Sequence, residues 1–296
     1  MWLMPDLAAR VEELRADRAH GASWMARRTV EALLAVAEEP AESCEDLLDR
    51  LVDAARQLAE SRPRMGAIAG AAGRVLAAAN GWRHLDVDEL RRLIQEEGAG
   101  ILDGRIRAAA SIAIQLSERT RGAVVVTHSA SATVREALVH DSPAKVICTV
   151  SEPIGEGRAF ADDLRGEGLD LELVDDEQAP DALAGASMLL VGADTVFRCG
   201  TLCNKVGTTA LAYAAAQHGV PTVVACEIVK LAPIDISDAP EPGPAERDLF
   251  ELTPPELITE LVTEEGVFRP EEIAALVDRT PFLLEGYSLL YAATTA

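Results

Sequence analysis

The stretch Leu189–Lys230 reads LLVGADTVFRCGTLCNKVGTTALAYAAAQHGVPTVVACEIVK. An apolar run of strand length, Met188–Val191, overlaps its start and is bounded by Gly192, which predicts a strand buried on both faces. Asp194 lies where that strand ends. Because ligands bind outside the carboxyl ends of the strands in an open parallel α/β sheet, this carboxylate is a candidate for chemistry.

A polar cluster follows at the predicted start of an alanine-rich helix that runs to His218. Asn204 and Lys205 precede the turn Gly207–Thr209 in this cluster. Free backbone N–H groups at a helix N-terminus, together with a lysine ammonium, suit a phosphate or another anion. The alternative is an ordinary strand-helix-strand unit in which these residues only form turns and caps.

The order of these residues resembles a known family. The pattern consists of GAD, a later Gly, NKVGT, and an acidic residue and Lys after the next strand, at Gly192–Asp194, Gly200, Asn204–Thr208, Glu227 and Lys230. It is similar to the alpha, beta and delta subunits of translation initiation factor 2B, a family shared with ribose-1,5-bisphosphate isomerase and methylthioribose-1-phosphate isomerase. The resemblance implies that Asp194, Asn204, Lys205 and Lys230 face one pocket for a phosphorylated ligand.

Charge excludes some partners. The chain has 296 residues, 49% of them hydrophobic, and 49 acidic against 27 basic residues give a net charge of -22. Such a surface repels nucleic acid and anionic membrane, so we expect neither as a partner. The excess of Asp and Glu over Lys also suggests a salt-rich cytoplasm, as in a halophilic archaeon.

Cysteine usage and the N-terminus indicate a cytoplasmic protein. Five cysteines, an odd number, argue against a disulfide framework. Cys199 and Cys203 are four apart, but no second pair lies at zinc spacing, so we expect no metal and no cofactor. The first 18 residues lack the charged start and apolar centre of a signal peptide, and no run approaches membrane-spanning length.

Two periodicities divide the chain. From Asp6 to about Glu118 the apolar residues have helical spacing, which predicts about five helices. The breaks between them fall at Gly21, Pro40, Pro63, Gly81 and Gly98–Gly100. After Gly122, strands alternate with helices, at Ala123–Val126, Lys145–Val150, Leu169–Val174, Met188–Val191 and Thr222–Ala225. The sequence therefore predicts an α/β protein, with a helical bundle over 1–118 and a Rossmann-like parallel sheet over 119–296.

Two breaks in the helical part carry candidate ligand-binding residues. Gly21-Ala22-Ser23 precedes a helix, where Ser23 is a plausible N-cap, and Arg62-Pro63 lies at the start of another. The resemblance implies that Gly21, Ala22, Ser23 and Arg62 face the sugar phosphate. The alternative is that Ser23 only caps its helix and the arginine pairs with surface carboxylates.

The sequence of the turn after the first predicted strand distinguishes a binding protein from an enzyme. In the related isomerases it reads THC, and the cysteine works with the Asp of GAD as an acid-base pair. Here Ser129 takes the cysteine's place, and a hydroxyl does not ionise near neutral pH without a dedicated base. The pattern Ser129-x-Ser131-x-Thr133-Val134 resembles the SxSxTV turn of the initiation factor subunits. His128 could serve as a base, although a hydrogen-bonded structural role is the commoner one.

Later segments resemble the same family. Ser151-Glu152 matches its TES or SEP turn, which implies that Arg158 in the next helix contacts phosphate. The stretch from Phe250 to Val277 resembles the C-terminal signature, in which an acidic residue, a hydrophobic residue and TPP are followed by a helix that ends before EGV. In the relatives this region contributes to a dimer. The apolar residues Leu289–Tyr291 pack either on a partner or on the core.

We therefore predict an initiation factor 2B-like regulatory protein, without catalysis, that binds a sugar phosphate or a nucleotide. The predicted partners are a second copy of the chain, in a dimer or a higher homo-oligomer, and initiation factor 2 subunits. The alternative is an aldose-ketose isomerase of the ribose-1,5-bisphosphate type, with Asp194 catalytic. A third interpretation is an assembly subunit whose pocket is vestigial.

The charge predicts that salt stabilises the fold. Screening weakens repulsion among the acidic groups, so the melting temperature should rise between about 0.1 M and about 2 M KCl. Differential scanning calorimetry across this range measures the effect. A melting temperature that does not change with salt would contradict the proposed adaptation.

Overall fold

The computed structural model describes residues 7–244 and 246–291. The predicted helix start at Asp6 and the last five residues of the predicted C-terminal segment lie outside these ranges. No helix in the described ranges is both long and apolar enough to cross a membrane.

From residue 7 onward, five helices form the described N-terminal part, as predicted: α1 Leu7–Ala16, α2 Ala22–Glu38, α3 Cys44–Ser61, α4 Gly66–Gly81 and α5 Val87–Thr120. Side-chain caps start two of them: Ser43 accepts from the Asp46 N–H, and Asp86 accepts from the N–H groups of Asp88 and Glu89.

The predicted break at Gly98–Gly100 is wrong, because α5 runs through it for 34 residues. A Cβ on Gly98 would lie 2.4 Å from Leu34 Cδ2 on α2. This glycine therefore allows two helices to approach closely and does not end one.

The main sheet contains the five predicted strands and two more. The strands are β1 Val124–Thr127, β2 Lys145–Thr149, β3 Leu171–Val174, β4 Met188–Val191, β7 Thr222–Ala225, β10 Glu260–Thr263 and β11 Gly266–Phe268. Their order in the sheet is β11-β10-β7-β4-β1-β2-β3, and all neighbours are parallel except β10 and β11. The predicted α/β class with N-terminal helices is thus confirmed. The helices of this part are α6 Ala132–His140, α7 Gly157–Gly166, α8 Ala179–Ala182, α9 Thr208–Gln217, α10 Ile273–Asp278 and α11 Pro281–Tyr291.

The predicted helix between TPP and EGV is wrong. After a short 3-10 turn at Pro255–Leu257, the chain forms β10, which pairs in parallel with β7. Leu261 and Val262 are fully buried on opposite faces of the sheet. The sequence of a short segment buried on both faces has no hydrophobic period by which a strand can be told from a helix. Here hydrogen bonding to β7 makes the segment a strand.

A second, smaller sheet was not predicted. Its order is β8-β5-β6-β9, with β5 Thr195–Phe197, β6 Leu202–Lys205, β8 Leu231–Ala232 and β9 Phe250–Thr253. It places Asn204 and Lys205 on a strand, not at a helix start. These strands have two to four residues, too few to show an alternating pattern.

Helix α4 joins the helical part to the rest of the molecule through close backbone contacts. A Cβ on Gly70 would lie 1.8 Å from the carbonyl oxygen of Val229, and one on Gly286 of α11 would lie 2.5 Å from the backbone of Gly73. In the last helix, Leu290 is buried in the helical core and Leu289 packs against it. These two side chains therefore pack on the core.

Gly70→Ala should destabilise the protein by about 3 kcal/mol, because the added methyl overlaps a backbone carbonyl that cannot rotate away. Gly100→Ala is the matched control: it lies in α5 with no atom within 4 Å of the added methyl, and should be neutral or stabilising by about 0.5 kcal/mol. Urea unfolding measures both. Equal stabilities of the two variants would contradict this packing.

Candidate functional site

A cavity of about 570 Å³ lies between the helical part and the carboxyl ends of β1, β2, β4 and β7. It brings together all but one of the residues predicted to bind a ligand or to act in catalysis: Gly21, Ala22, Ser23, Arg62, Ser129, Ser131, Asp194, Asn204, Lys205 and Lys230. Arg158 is the exception, because it is exposed on α7 and does not line the cavity.

Two buried ammonium groups are the strongest feature of this cavity. The sequence contains three lysines, Lys145, Lys205 and Lys230. The last two line the cavity and are only 3% and 2% exposed. Because a charge is costly to bury unless it is paired, two buried lysines at one cavity indicate a place for negative charge.

Asp194 lies partly buried at the wall, directly after β4. Burial raises its pKa to about 6, although the nearby Lys230 ammonium acts in the opposite direction. Its backbone N–H donates to the carbonyl of Cys203 on β6, which fixes it against the small sheet. A carboxyl group that titrates near pH 6 can donate or accept a proton under physiological conditions.

Glu156 occupies the space between Ser129 and Lys205. The Ser129 hydroxyl donates to Glu156 Oε1 at 2.6 Å, and Lys205 Nζ donates to Oε2 at 2.9 Å. Glu156 is absent from the residues predicted from the sequence. Its position just after β2, six residues beyond Val150, is the one signal that could have identified it.

The turn that carries Ser129 and Ser131 is held in an unusual conformation. Ser129 has a φ of +66°, and its N–H donates to the Ser151 hydroxyl at 2.8 Å. The Ser131 hydroxyl caps α6 by accepting from the Val134 N–H. A Cβ on Gly192 would lie 2.5 Å from Ser131 Oγ, so only glycine allows β4 and this turn to approach so closely.

His128 is a structural residue. Its Nε2 donates to the Val206 carbonyl at 2.8 Å, so Nδ1 accepts from the Thr149 hydroxyl at 2.7 Å. Burial lowers the pKa of the ring, which favours the neutral form. With both nitrogens engaged, the ring holds β1, β2 and the segment after β6 together.

The N-terminus of α9 is not an open anion site. The N–H groups of Gly207 and Thr209 both donate to Glu251 Oε1, at 2.9 and 2.7 Å. The Asn204 amide donates to the Thr208 hydroxyl, which donates to the Lys205 carbonyl. The chain thus supplies its own carboxylate, that of Glu251, to this helix end, so these N–H groups are not free for an external anion.

The residues from the helical part also have internal partners. Arg62 donates to the backbone carbonyls of Leu14 and Asp17, and burial lowers its pKa. Gly21, not Ser23, is the N-cap of α2. The predicted capping role of Ser23 is therefore wrong, because its hydroxyl donates to Glu227 Oε1 at 2.9 Å.

Within 7–244 and 246–291, no group of three or more His, Cys, Asp and Glu side chains is arranged to hold a metal ion.

Asp194→Asn should stabilise the protein near neutral pH. A pKa raised from 3.8 to about 6 means that the folded state holds the proton more tightly, so the wild type loses stability as pH rises from about 4 through about 6. The variant avoids this loss and should gain up to about 3 kcal/mol at about pH 7.5, and little at about pH 4.

Asp278→Asn is the control with the opposite sign, because the Arg198 guanidinium lowers the pKa of Asp278. This variant should lose stability near neutral pH. Urea unfolding at both pH values measures the two effects, and a gain for Asp194→Asn that does not depend on pH would contradict the raised pKa.

Comparison with known proteins agrees with the resemblance read from the sequence. Residues 18–247 match the initiation factor 2 subunit family. A putative translation initiation factor eIF-2B subunit 2-like protein of Pyrococcus abyssi is 33% identical over 90% of this chain and 98% of its own length. The ribose 1,5-bisphosphate isomerase of Haloterrigena turkmenica is 29% identical over 92% of this chain and 94% of its own.

The fold has a solved counterpart. The crystal structure of the Pyrococcus horikoshii OT3 translation initiation factor eIF-2B superposes with a TM-score of 0.78 and 27% identity, over 90% of this chain and 98% of that one. Sequence and fold thus agree across nearly the whole chain, which belongs to the initiation factor 2 subunit family.

Proposed function

We propose that this protein is a regulatory, non-catalytic member of its family that binds a sugar phosphate or a nucleotide in the cavity. One observation carries the proposal: the cavity has a buried lysine, Lys230, to bind an anion, but a hydroxyl, that of Ser129, at the position where the related isomerases have a thiol. A thiol titrates within reach of neutral pH and a hydroxyl does not, so Asp194 lacks the second half of an acid-base pair.

The binding chemistry follows from the lining. Lys230 and Arg62 are the cations proposed to bind the phosphate, and Gly21 lets α2 come close to it. A Cβ on Gly21 would lie 3.3 Å from the Ala130 carbonyl oxygen, so a larger residue would be in tight contact with this turn. Asp194 and Asn204 suit the hydroxyl groups of a sugar. Arg158, outside the cavity, has no part in this proposal.

The proposed partners follow from the family. The Pyrococcus abyssi relative carries the name of a subunit, which supports assembly with initiation factor 2 subunits and with a second copy of this chain. The C-terminal segment is the proposed dimer contact. A role in initiation would place the protein in the cytoplasm.

A second candidate function is sugar-phosphate isomerisation, and two observations favour it. Burial raises the pKa of Asp194 to about 6, and the Ser129 hydroxyl has a carboxylate, Glu156, within hydrogen-bond distance. Such a carboxylate could replace the thiol as the second acid-base group. Identity to the isomerase of Haloterrigena turkmenica, at 29%, is close to that of the subunit-like relative.

Phosphorus NMR distinguishes the two functions. The purified protein is mixed with ribose 5-phosphate, adenosine monophosphate or ribose 1,5-bisphosphate, and line broadening and turnover are followed together. We expect saturable broadening with at least one ligand and no new resonances. Turnover of the bisphosphate that is lost in Asp194→Asn would instead make the protein an isomerase.

Lysine variants test the site itself. Lys230→Met should weaken binding by about 10- to 100-fold, because it removes a charged donor from a buried site. Lys145→Met is the matched control, since Lys145 pairs with Glu172 on the exposed edge of the sheet and lies outside the cavity. Absence of saturable binding to the folded wild type would overturn the proposal.

A further inference from the structure

The cavity already contains an anion that belongs to the protein. Both oxygens of Glu156 are hydrogen-bonded to donors of the cavity wall, one to the Ser129 hydroxyl and one to the Lys205 ammonium. The Lys205 side chain is 4% exposed and that of Glu156 is 18% exposed, so this ion pair is largely screened from water. Hydrogen bonds between charged groups in such a place are short and strong.

The carboxylate is held there by its backbone. Gly157 follows Glu156 directly, and a Cβ on Gly157 would lie 1.8 Å from the carbonyl oxygen of Thr149 on β2. The Gly157 N–H donates to the Val150 carbonyl at 3.0 Å. On the other side of the turn, the N–H groups of Ser151 and Glu152 both donate to Asp176 at 2.7 Å. The backbone of Glu156 is therefore held in a fixed position beside the cavity.

The same two donors are those that a phosphate would use. A phosphate group carries up to two negative charges and three acceptor oxygens, and an ammonium beside a hydroxyl is a good match for it. With Glu156 in place, a phosphate at this position would lie against a carboxylate of like charge. Like charges placed together at a binding site are a strong means of rejecting a ligand.

The charged side chains of the cavity wall can balance the charge of one phosphate group. Among the residues that the structure describes, five cationic and four acidic side chains line the cavity: Arg18, Arg62, Arg135, Lys205 and Lys230 against Asp17, Glu156, Asp163 and Asp194. Arg135 is already paired with Asp163 at 2.5 Å, and Lys205 with Glu156. This nearly balanced lining can accommodate the charge of one phosphate much better than that of two.

We propose that Glu156 sets the ligand specificity of this cavity, which takes a ligand with a single phosphate and rejects a bisphosphate. This inference rests on the proposed function and narrows its ligand class. The phosphate lies at the Arg62 and Lys230 end. The sugar hydroxyls face Glu156, whose oxygens each keep a second lone pair for a hydrogen bond.

Isothermal titration calorimetry with ribose 5-phosphate and ribose 1,5-bisphosphate, at constant ionic strength, tests the inference. The wild type should bind the monophosphate at least about tenfold more tightly than the bisphosphate. Glu156→Gln removes the charge and keeps the size, so this ratio should fall by at least about tenfold.

Two further variants serve as controls. Glu152→Gln removes a unit charge from an exposed position in the same turn, outside the cavity, and should leave the ratio unchanged. Glu156→Asp keeps the charge and should keep the preference for the monophosphate. The wild-type ratio is a test by itself if Glu156→Gln does not fold.

The outcomes separate the two proposals. A wild type that binds the monophosphate no better than the bisphosphate, or an unchanged ratio in Glu156→Gln, would overturn the specificity and leave the binding function intact. A loss of preference in Glu156→Asp equal to that in Glu156→Gln would overturn the role of the charge. No binding of either ligand to the folded wild type would overturn both.

Discussion

The close approach of α4 to the turn after β7 is the constraint on which the cavity depends. Gly70 leaves space for the Val229 carbonyl, and Lys230 is the next residue along that turn. A side chain at position 70 would push the helical part away from the sheet and open the gap in which the ligand is proposed to bind. Packing between one helix and a turn thus determines where a buried ammonium group lies.

Carboxylates of the chain itself occupy many of the places where an anion could bind. Glu251 accepts from the N-terminus of α9, Asp176 from the turn after β2, and Glu156 from Lys205 and Ser129. In a chain with a net charge of -22 such residues are plentiful. An acidic protein can therefore satisfy its buried donors internally, and the donors that remain for a ligand are fewer than a motif suggests.

Residues close to one another in sequence have different roles here. His128 ties the end of β1 to β2 and to the segment after β6 through its two ring nitrogens, whereas the Ser129 hydroxyl bonds to Glu156 in the cavity. Asn204 and Lys205 are neighbours on β6, yet the Asn204 amide bonds to Thr208 and the Lys205 ammonium bonds to Glu156. In each pair, neighbouring side chains leave the backbone in different directions and therefore reach different partners.

The sequence alone determined the class of fold and five parallel strands, and ten of its eleven predicted site residues line the cavity. Apolar period and strand-end position are local properties of the chain, and the residues of the helical part followed from the resemblance to a known family. Tertiary structure decided the small sheet, the strand at Glu260–Thr263 and the continuity of α5 through Gly98, since pairing and close packing overrode local pattern there. It alone placed Glu156 on Lys205, because these residues are 49 apart and only the folded chain brings their opposite charges together.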